Sequence, residues 1–308
     1  MNNDYRANDV NTPIIGTTGN NITASFEFFP PNTIKLEQTL WSSLKRLAPL
    51  NPGFISVTYG AGGSTKKRTH AIVTRIQHEI GIPAAAHLTC VAASKAEVDN
   101  VARQYWDAGI RHIVALRGDP PTGAKNFVAH PQGYSHASDL VCALKKIADF
   151  EISIAAYPEV HPEAKSPEAD IENLKRKVDC GASRAITQFF FNPENFLRFR
   201  DKISKVGLSV PVIPGVLPVT NFSQVQKFSA VCGTSVPSWM VKLFDGLDDD
   251  ATTRQMIAAS VAIDQCKSLI AEGVSDFHFY TLNRADLTYA ICHVLGIRPG
   301  AFSPEIST

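Results

Sequence analysis

Eight times along this chain a short run of apolar and β-branched residues stops at a polar, Gly or Pro step and gives way to a longer stretch with helical spacing of its apolar positions. The strand-like runs fall at 24–29, 54–59, 84–90, 112–116, 152–156, 184–190, 210–215 and 277–281. Helical patterns follow at about 35–47, 65–80, 94–108, 137–148, from 166, 193–206, 222–231 and 284–295, with two extra ones near 237–243 and 251–272. Strands that alternate with helices in this way predict a parallel sheet covered on both faces, and the count of eight favours closure into a (β/α)8 TIM barrel. An open doubly wound sheet is the alternative. It is weakened because no strand runs into a GxGxxG turn; Gly60-Ala61-Gly62-Gly63 lacks that spacing. The expected organisation is one catalytic barrel over residues 21–304 behind a flexible polar extension over 1–20.

Composition removes several classes of function. At 308 residues, 44% hydrophobic and 19% charged, the chain is an ordinary globular one, and a net charge of +1 gives no global attraction to nucleic acid or anionic membranes. The first twenty residues hold no apolar segment of the signal-peptide kind and no later run reaches bilayer length, so a cytoplasmic protein is expected. The six cysteines, Cys90, Cys142, Cys180, Cys232, Cys266 and Cys292, are scattered with no CxxC pair. They read as reduced core thiols, and no metal is expected.

In a barrel the chemistry belongs at the C-terminal ends of the strands. Polar residues gather there: Glu27, Thr58, Tyr59, His87, Thr89, Arg117, Asp119, Tyr157, His161, Gln188, Asn283 and Arg284. Arg117 and Asp119 end the apolar run 113–116 just before Pro120 and Pro121, where they either close the strand as an ion pair or serve a site. Glu27 stands among Phe26, Phe28 and Phe29, which suggests a carboxyl raised by apolar burial and suited to general-acid work; an ion pair with Arg or Lys across the mouth is the other reading. Asp170, Asn173 and Lys177 form an i, i+3, i+7 stripe with Arg176 beside it. It is either a solvated face or, with the helix dipole, a phosphate holder. Asp248, Asp249 and Asp250 precede a helix and read as capping.

The segments Ser25-Phe26-Glu27-Phe28-Phe29-Pro30-Pro31, Val57-Thr58-Tyr59-Gly60, His87-Leu88-Thr89-Cys90, Leu116-Arg117-Gly118-Asp119, Tyr157-Pro158-Glu159-Val160-His161-Pro162, Gln188-Phe189-Phe190-Phe191 and Phe277 through Arg284 together resemble the bacterial methylenetetrahydrofolate reductases, in order along the chain. The resemblance implies a barrel that binds FAD noncovalently, takes electrons from NADH and reduces the methylene carbon of 5,10-methylenetetrahydrofolate in alternating half-reactions. It implies that Glu27 is the general acid and that Asp119 is the carboxylate beside the flavin ring. It places Thr58, Tyr59, Ala61, His87, Arg117, Gly118, Ala137, Tyr157, His161, Asp170, Asn173, Arg176 and Lys177 at FAD or nicotinamide positions. Gln188, Gln224, Phe228 and Arg284 match the folate side, and Gln188 with Thr58 also matches nicotinamide contacts. His136 stands where the family commonly has Tyr, with Tyr134 nearby. The small-molecule substrates are the only partners implied besides further copies of the chain in a homo-oligomer. The competing readings are a flavin-free pterin-binding transferase on the same barrel and a barrel that binds folate or flavin without turnover.

Overall fold

The computed structural model of the chain describes residues 22–59, 65–120, 123 and 127–300. The expected extension over 1–20 and the site candidate Ala61 lie outside them. Strands β1 (Thr23–Phe28), β2 (Ile55–Val57), β3 (Ala84–Thr89), β4 (His112–Leu116), β5 (Glu151–Ala156) and β6 (Arg184–Thr187) alternate with helices α1 (Ile34–Leu47), α2 (Lys66–Arg75), α3 (Lys95–Asp107), α4 (Ala137–Ile147), α5 (Pro167–Asp179) and α6 (Pro193–Lys205). Then come β7 (Val212–Ile213), β8 (Gly215–Val216), α7 (Phe222–Cys232), α8 (Ser238–Phe244), α9 (Ala251–Ala271), β9 (Asp276–Tyr280) and α10 (Asp286–Val294).

All ladders are parallel and the order is β7-β6-β5-β4-β3-β2-β1-β9-β8. The single seventh strand expected over 210–215 is in fact two. Pro214 sits between them and has no N–H to give a ladder, so Val212–Ile213 bonds to β6 while Gly215–Val216 bonds to β9. The barrel closes through this kinked segment, with His278 N–H donating to Pro214 O at 3.0 Å and Gly215 N–H to Thr187 Oγ1 at 2.9 Å.

Helix starts follow local chemistry. Thr33, Ser94 and Ser166 accept N–H bonds from the first turns of α1, α3 and α5, with a full capping box at Ser94 and Glu97 and Pro167 in the first position of α5. Each of these caps places a helix N-terminus beside the C-terminal ends of the strands, which is the face where side chains can meet a ligand.

The pleat divides the apolar residues into layers, because successive side chains on a strand point to opposite faces. Phe26, Phe28, Phe277 and Phe279 point outward into the large core between sheet and helices, each fully buried and each worth about 2 kcal/mol or more of apolar transfer. Inside the barrel a small cluster of Phe54, Ala85, Val114 and Ile186 fills the centre. A third cluster, including Phe189, Phe222, Met240 and Phe244, fixes α8 and α9 over the segment that follows the split strand.

The expectation of six reduced thiols is corrected. Cys142 on α4 and Cys180 at the C-terminal cap of α5 form a disulfide, with Cα atoms 4.7 Å apart. Consecutive helices of the outer ring pack side by side, so two cysteines far apart in sequence meet without any spacing motif. Cys90, Cys232, Cys266 and Cys292 are free.

Candidate active site

Glu27 follows the inward parity of β1. Its register partners are Ser56 on β2 and Tyr280 on β9, and its side chain is 20% exposed, opening toward the mouth. One carboxylate oxygen, Oε2, lies 3.3 Å from His87 Nε2 and 3.6 Å from His278 Nε2. Both nitrogens are buried and neither makes a well-aligned hydrogen bond, so each faces Glu27 with no competing partner. His278 is held from behind by Ser25 Oγ, 2.7 Å from its Nδ1.

This overturns the raised carboxyl expected from sequence. Burial does push the Glu27 carboxyl up, but the adjacent imidazoles of His87 and His278, by charge and hydrogen bonding, outweigh it and hold the carboxyl down at about 2. The reason is the pleat: the phenylalanines that neighbour Glu27 in sequence face the other side of the sheet. Nor is the partner an Arg or Lys. Deeper in the barrel His112 Nε2 meets Ser153 Oγ at 2.7 Å, and burial, with Arg184, His278 and His87 nearby, lowers its imidazole to about 3.

A second group forms on the rim where β4, β5 and α5 meet. Arg117 pairs with Glu163 at 2.6 Å and lies over the Phe127 ring, so it makes no closing pair with Asp119. Asp119 is exposed and near enough to Tyr157 and Cys232 to help burial push both of their protons on more tightly. Tyr157 packs edge-on against His161, with ring centroids 4.5 Å apart. Burial lowers the His161 imidazole, with Asp170 opposing.

The stripe on α5 faces β5 and is not a solvated surface. Asp170 Oδ2 accepts the His161 backbone N–H at 2.9 Å, and Lys177 Nζ donates to Ala155 O at 2.6 Å. Lys177 is only 6% exposed, and burial brings its ammonium down to about 8 with Asp170 opposing. Arg176 and Lys177 occupy the last turn of α5, about 15 Å along the axis from its N-terminus at 1.5 Å per residue. The helix dipole and the cation pair therefore do not act at one point, as the sequence suggested; Asn173, beside Arg176 at 3.5 Å, belongs with the pair.

The remaining candidates sit on other strand ends and helices. Thr58 and Tyr59 end β2, half-buried. Gly118 adopts φ +90° where a Cβ would come within 2.9 Å of Thr89 Cβ, so only Gly lets the end of β4 lie against β3. His136 is exposed at the N-cap of α4, ahead of Ala137, with Asp139 Oδ2 3.6 Å from its ring. Tyr134 turns away to α3, bonding Asp99 at 2.8 Å. Gln188 folds its Oε1 onto the Phe189 N–H at 3.0 Å, while Gln224, Phe228 and Arg284 are exposed. Among the described residues no group of His, Cys, Asp and Glu is arranged to hold a metal, and no helix is long and apolar enough to cross a membrane.

Ser25, His278 and Glu163 escaped the sequence reading. The strict alternation of Phe277-His278-Phe279-Tyr280 against Ser25-Phe26-Glu27-Phe28 was the signal that could have found the first two. Glu163 carried none.

A TIM barrel with a carboxylate held between two buried imidazoles in its floor, and a charged rim at the ends of β4 and β5, has the architecture of a barrel enzyme. Comparison with known proteins gives the particular family. The sequence profile of Methylenetetrahydrofolate reductase matches residues 15–296. The chain is 58% identical over 279 residues to the 5,10-methylenetetrahydrofolate reductase of Escherichia coli (strain K12), covering 91% of this chain and 92% of that one. It is 33% identical to Methylenetetrahydrofolate reductase (NADH) 1 of Zea mays, covering 92% of this chain and 50% of the maize protein. The chain belongs to the methylenetetrahydrofolate reductase family. A Clostridium thermocellum protein that binds two copies of 5-methyl-5,6,7,8-tetrahydrofolic acid shares the fold, with a TM-score of 0.59 at 15% identity over 89% of this chain and 93% of that one.

Proposed function

We propose that this reductase works with noncovalent FAD and with NADH as donor, converting 5,10-methylenetetrahydrofolate to 5-methyltetrahydrofolate as the two substrates visit in turn. The observation that carries the reading is the Glu27 carboxylate in the barrel floor, faced by His87 and His278 and open toward the mouth. The residues fit a flavin dinucleotide. Ser56 Oγ and Thr89 Oγ1 are buried polar atoms without hydrogen-bond partners on the inward face of β2 and β3, and the rim supplies cations for a diphosphate. Arg117, Tyr157, His161, Asp170, Asn173, Arg176 and Lys177 would hold the cofactor, with Thr58, Tyr59, His87, Gly118, Asp119, His136 and Ala137 around it. When bound, FAD supplies hydride transfer from nicotinamide to folate.

The chain's own residues manage protons and orientation. Opening the methylene bridge needs a proton on the departing nitrogen. Glu27 is a carboxylate in the substrate-free chain, so its carboxyl takes up a proton with substrate in place before passing it to the departing nitrogen. Gln188 can both donate to and accept from a pterin edge, Phe228 offers an aromatic face, and Gln224 and Arg284 complete the folate side. Asp119 places negative charge where positive charge on the folate is favoured. Self-association belongs to the same reading, because α8 and α9 expose Trp239, Leu243 and Met256; light scattering measures it.

The test is direct. The purified protein should be yellow, release its flavin on denaturation and oxidise NADH anaerobically in proportion to added methylenetetrahydrofolate. Arg176→Ala combined with Lys177→Ala should lower flavin content. A colourless protein that binds pterins would favour the flavin-free transferase instead.

A further inference from the structure

Asn283 sits just beyond β9, 2% exposed, in a turn where it and Leu282 both take left-handed backbone angles, φ 57° and 49°. Two consecutive non-glycine residues in that region are costly, and such strain persists only where the surroundings enforce it. Here the turn swings the Asn283 carboxamide onto the end of β1. Its Oδ1 accepts the Phe29 N–H at 2.9 Å and its Nδ2 donates to Phe29 O at 2.8 Å, as a neighbouring strand would. Thr281 secures Glu27 itself, two residues earlier: its hydroxyl donates to Glu27 O at 2.6 Å and its N–H to the same oxygen at 3.2 Å. Ser43 on α1 anchors the turn from behind by donating to Asn283 O at 2.8 Å.

We propose that Asn283 is a positioning residue which, by clamping the backbone of Phe29, sets where the Glu27 carboxylate lies between His87 and His278. The inference rests on the reading that Glu27 serves the folate chemistry. Without the clamp, Phe29 loses both of its hydrogen bonds to Asn283, the end of β1 is left to the Thr58 N–H on Phe28 O at 2.9 Å and to Thr281 on Glu27 O, and both imidazole distances to Oε2 become free to lengthen. The groups that face Glu27 are His87 from β3, His278 and Tyr280 from β9 and Ser56 from β2, so a shift of the carboxylate is felt chiefly by the two imidazoles.

Asn283→Gly is the informative variant, because glycine keeps the left-handed turn and removes only the side chain. Asn283→Asp retains the acceptor for Phe29 N–H and loses the donor. In anaerobic stopped-flow on the holoenzyme, reoxidation by methylenetetrahydrofolate should slow roughly tenfold or more in Asn283→Gly, with its pH profile displaced by about half a unit or more, while flavin bleaching by NADH stays within about twofold. Asn283→Asp should change in the same direction by less. Ser43→Ala, which loosens the same turn without touching Phe29, should leave the pH profile in place. Independently of flavin, histidine-selective NMR should show the ring resonances of His87 and His278 shifted in Asn283→Gly and unshifted in Ser43→Ala. Unchanged pH profiles and unchanged imidazole resonances in both Asn283 variants would overturn the proposal. If the wild-type protein carries no flavin, the cofactor reading has failed, and the NMR comparison still decides the role of Asn283.

Discussion

His278 and Glu27 come from opposite ends of the chain and meet on adjacent strands, Nε2 to Oε2 at 3.6 Å, with nothing else bonded to that nitrogen. The contact makes the first and last strands of the sequence one functional unit. It also changes the state in which the carboxylate waits for substrate.

Acid stability follows from that state. The Glu27 carboxyl is held at about 2 against an ordinary value of 4.5, so its contribution is complete above about pH 4.5 and disappears as pH falls toward 2. At 1.36 kcal/mol per unit this is on the order of 3 kcal/mol. His112, kept neutral down to about 3, adds a loss that begins near pH 6.5, where the unfolded chain's imidazole takes a proton. Urea titrations from pH 7 to 3 should show a stability gap between wild type and Glu27→Gln that narrows below pH 4.5. A gap that stays constant across that range would mean the imidazoles do not hold the carboxyl down.

Gly215 marks where the barrel closes. A Cβ there would lie 2.6 Å from Tyr280 Cε2 and 2.8 Å from Tyr280 Oη, and would also run into Thr187 O, the acceptor of the Tyr280 hydroxyl. Gly215→Ala should therefore destabilise by about 3 kcal/mol, at the upper end of the range for overpacking, because backbone and a half-buried, hydrogen-bonded ring must both move. Chemical denaturation measures this, and a loss below about 0.5 kcal/mol would show that the seam is more yielding than it looks.

The Cys142–Cys180 disulfide closes a loop between residues 38 apart. Constraining the unfolded chain over such a loop stabilises by about 2–4 kcal/mol. Reductant should lower the unfolding free energy of the wild type by that amount, and its midpoint with it, and leave Cys142→Ser unmoved. Equal midpoints with and without reductant, with mass spectrometry confirming the change of thiol state, would remove the stabilising role.

The barrel was legible because its signal is repeated: each strand's apolar run and each helix's cap states the same architecture. Glu27 and the rim residues were legible because strand ends are marked by where apolar runs stop. What failed depended on neighbours across space. Reading Phe26 and Phe28 as the surroundings of Glu27 ignored the pleat that sends them outward, and only β3 and β9 in place reveal the two imidazoles. Pro214 could have been read as a break in the seventh strand. The pairing of Cys142 with Cys180, the grip of Lys177 on Ala155 and the clamp of Asn283 on Phe29 are contacts between elements, which periodicity does not encode.

Single-turnover stopped-flow on Glu27→Gln separates proton delivery from hydride supply. The glutamine keeps size and some hydrogen bonding but takes up no proton to pass on, so the variant should fold, bind flavin and be bleached by NADH within about tenfold of the wild-type rate, while reoxidation by methylenetetrahydrofolate falls by roughly 100-fold or more. Reoxidation of the reduced variant at nearly the normal rate would contradict the assignment and leave Glu27 a structural carboxylate between two histidines.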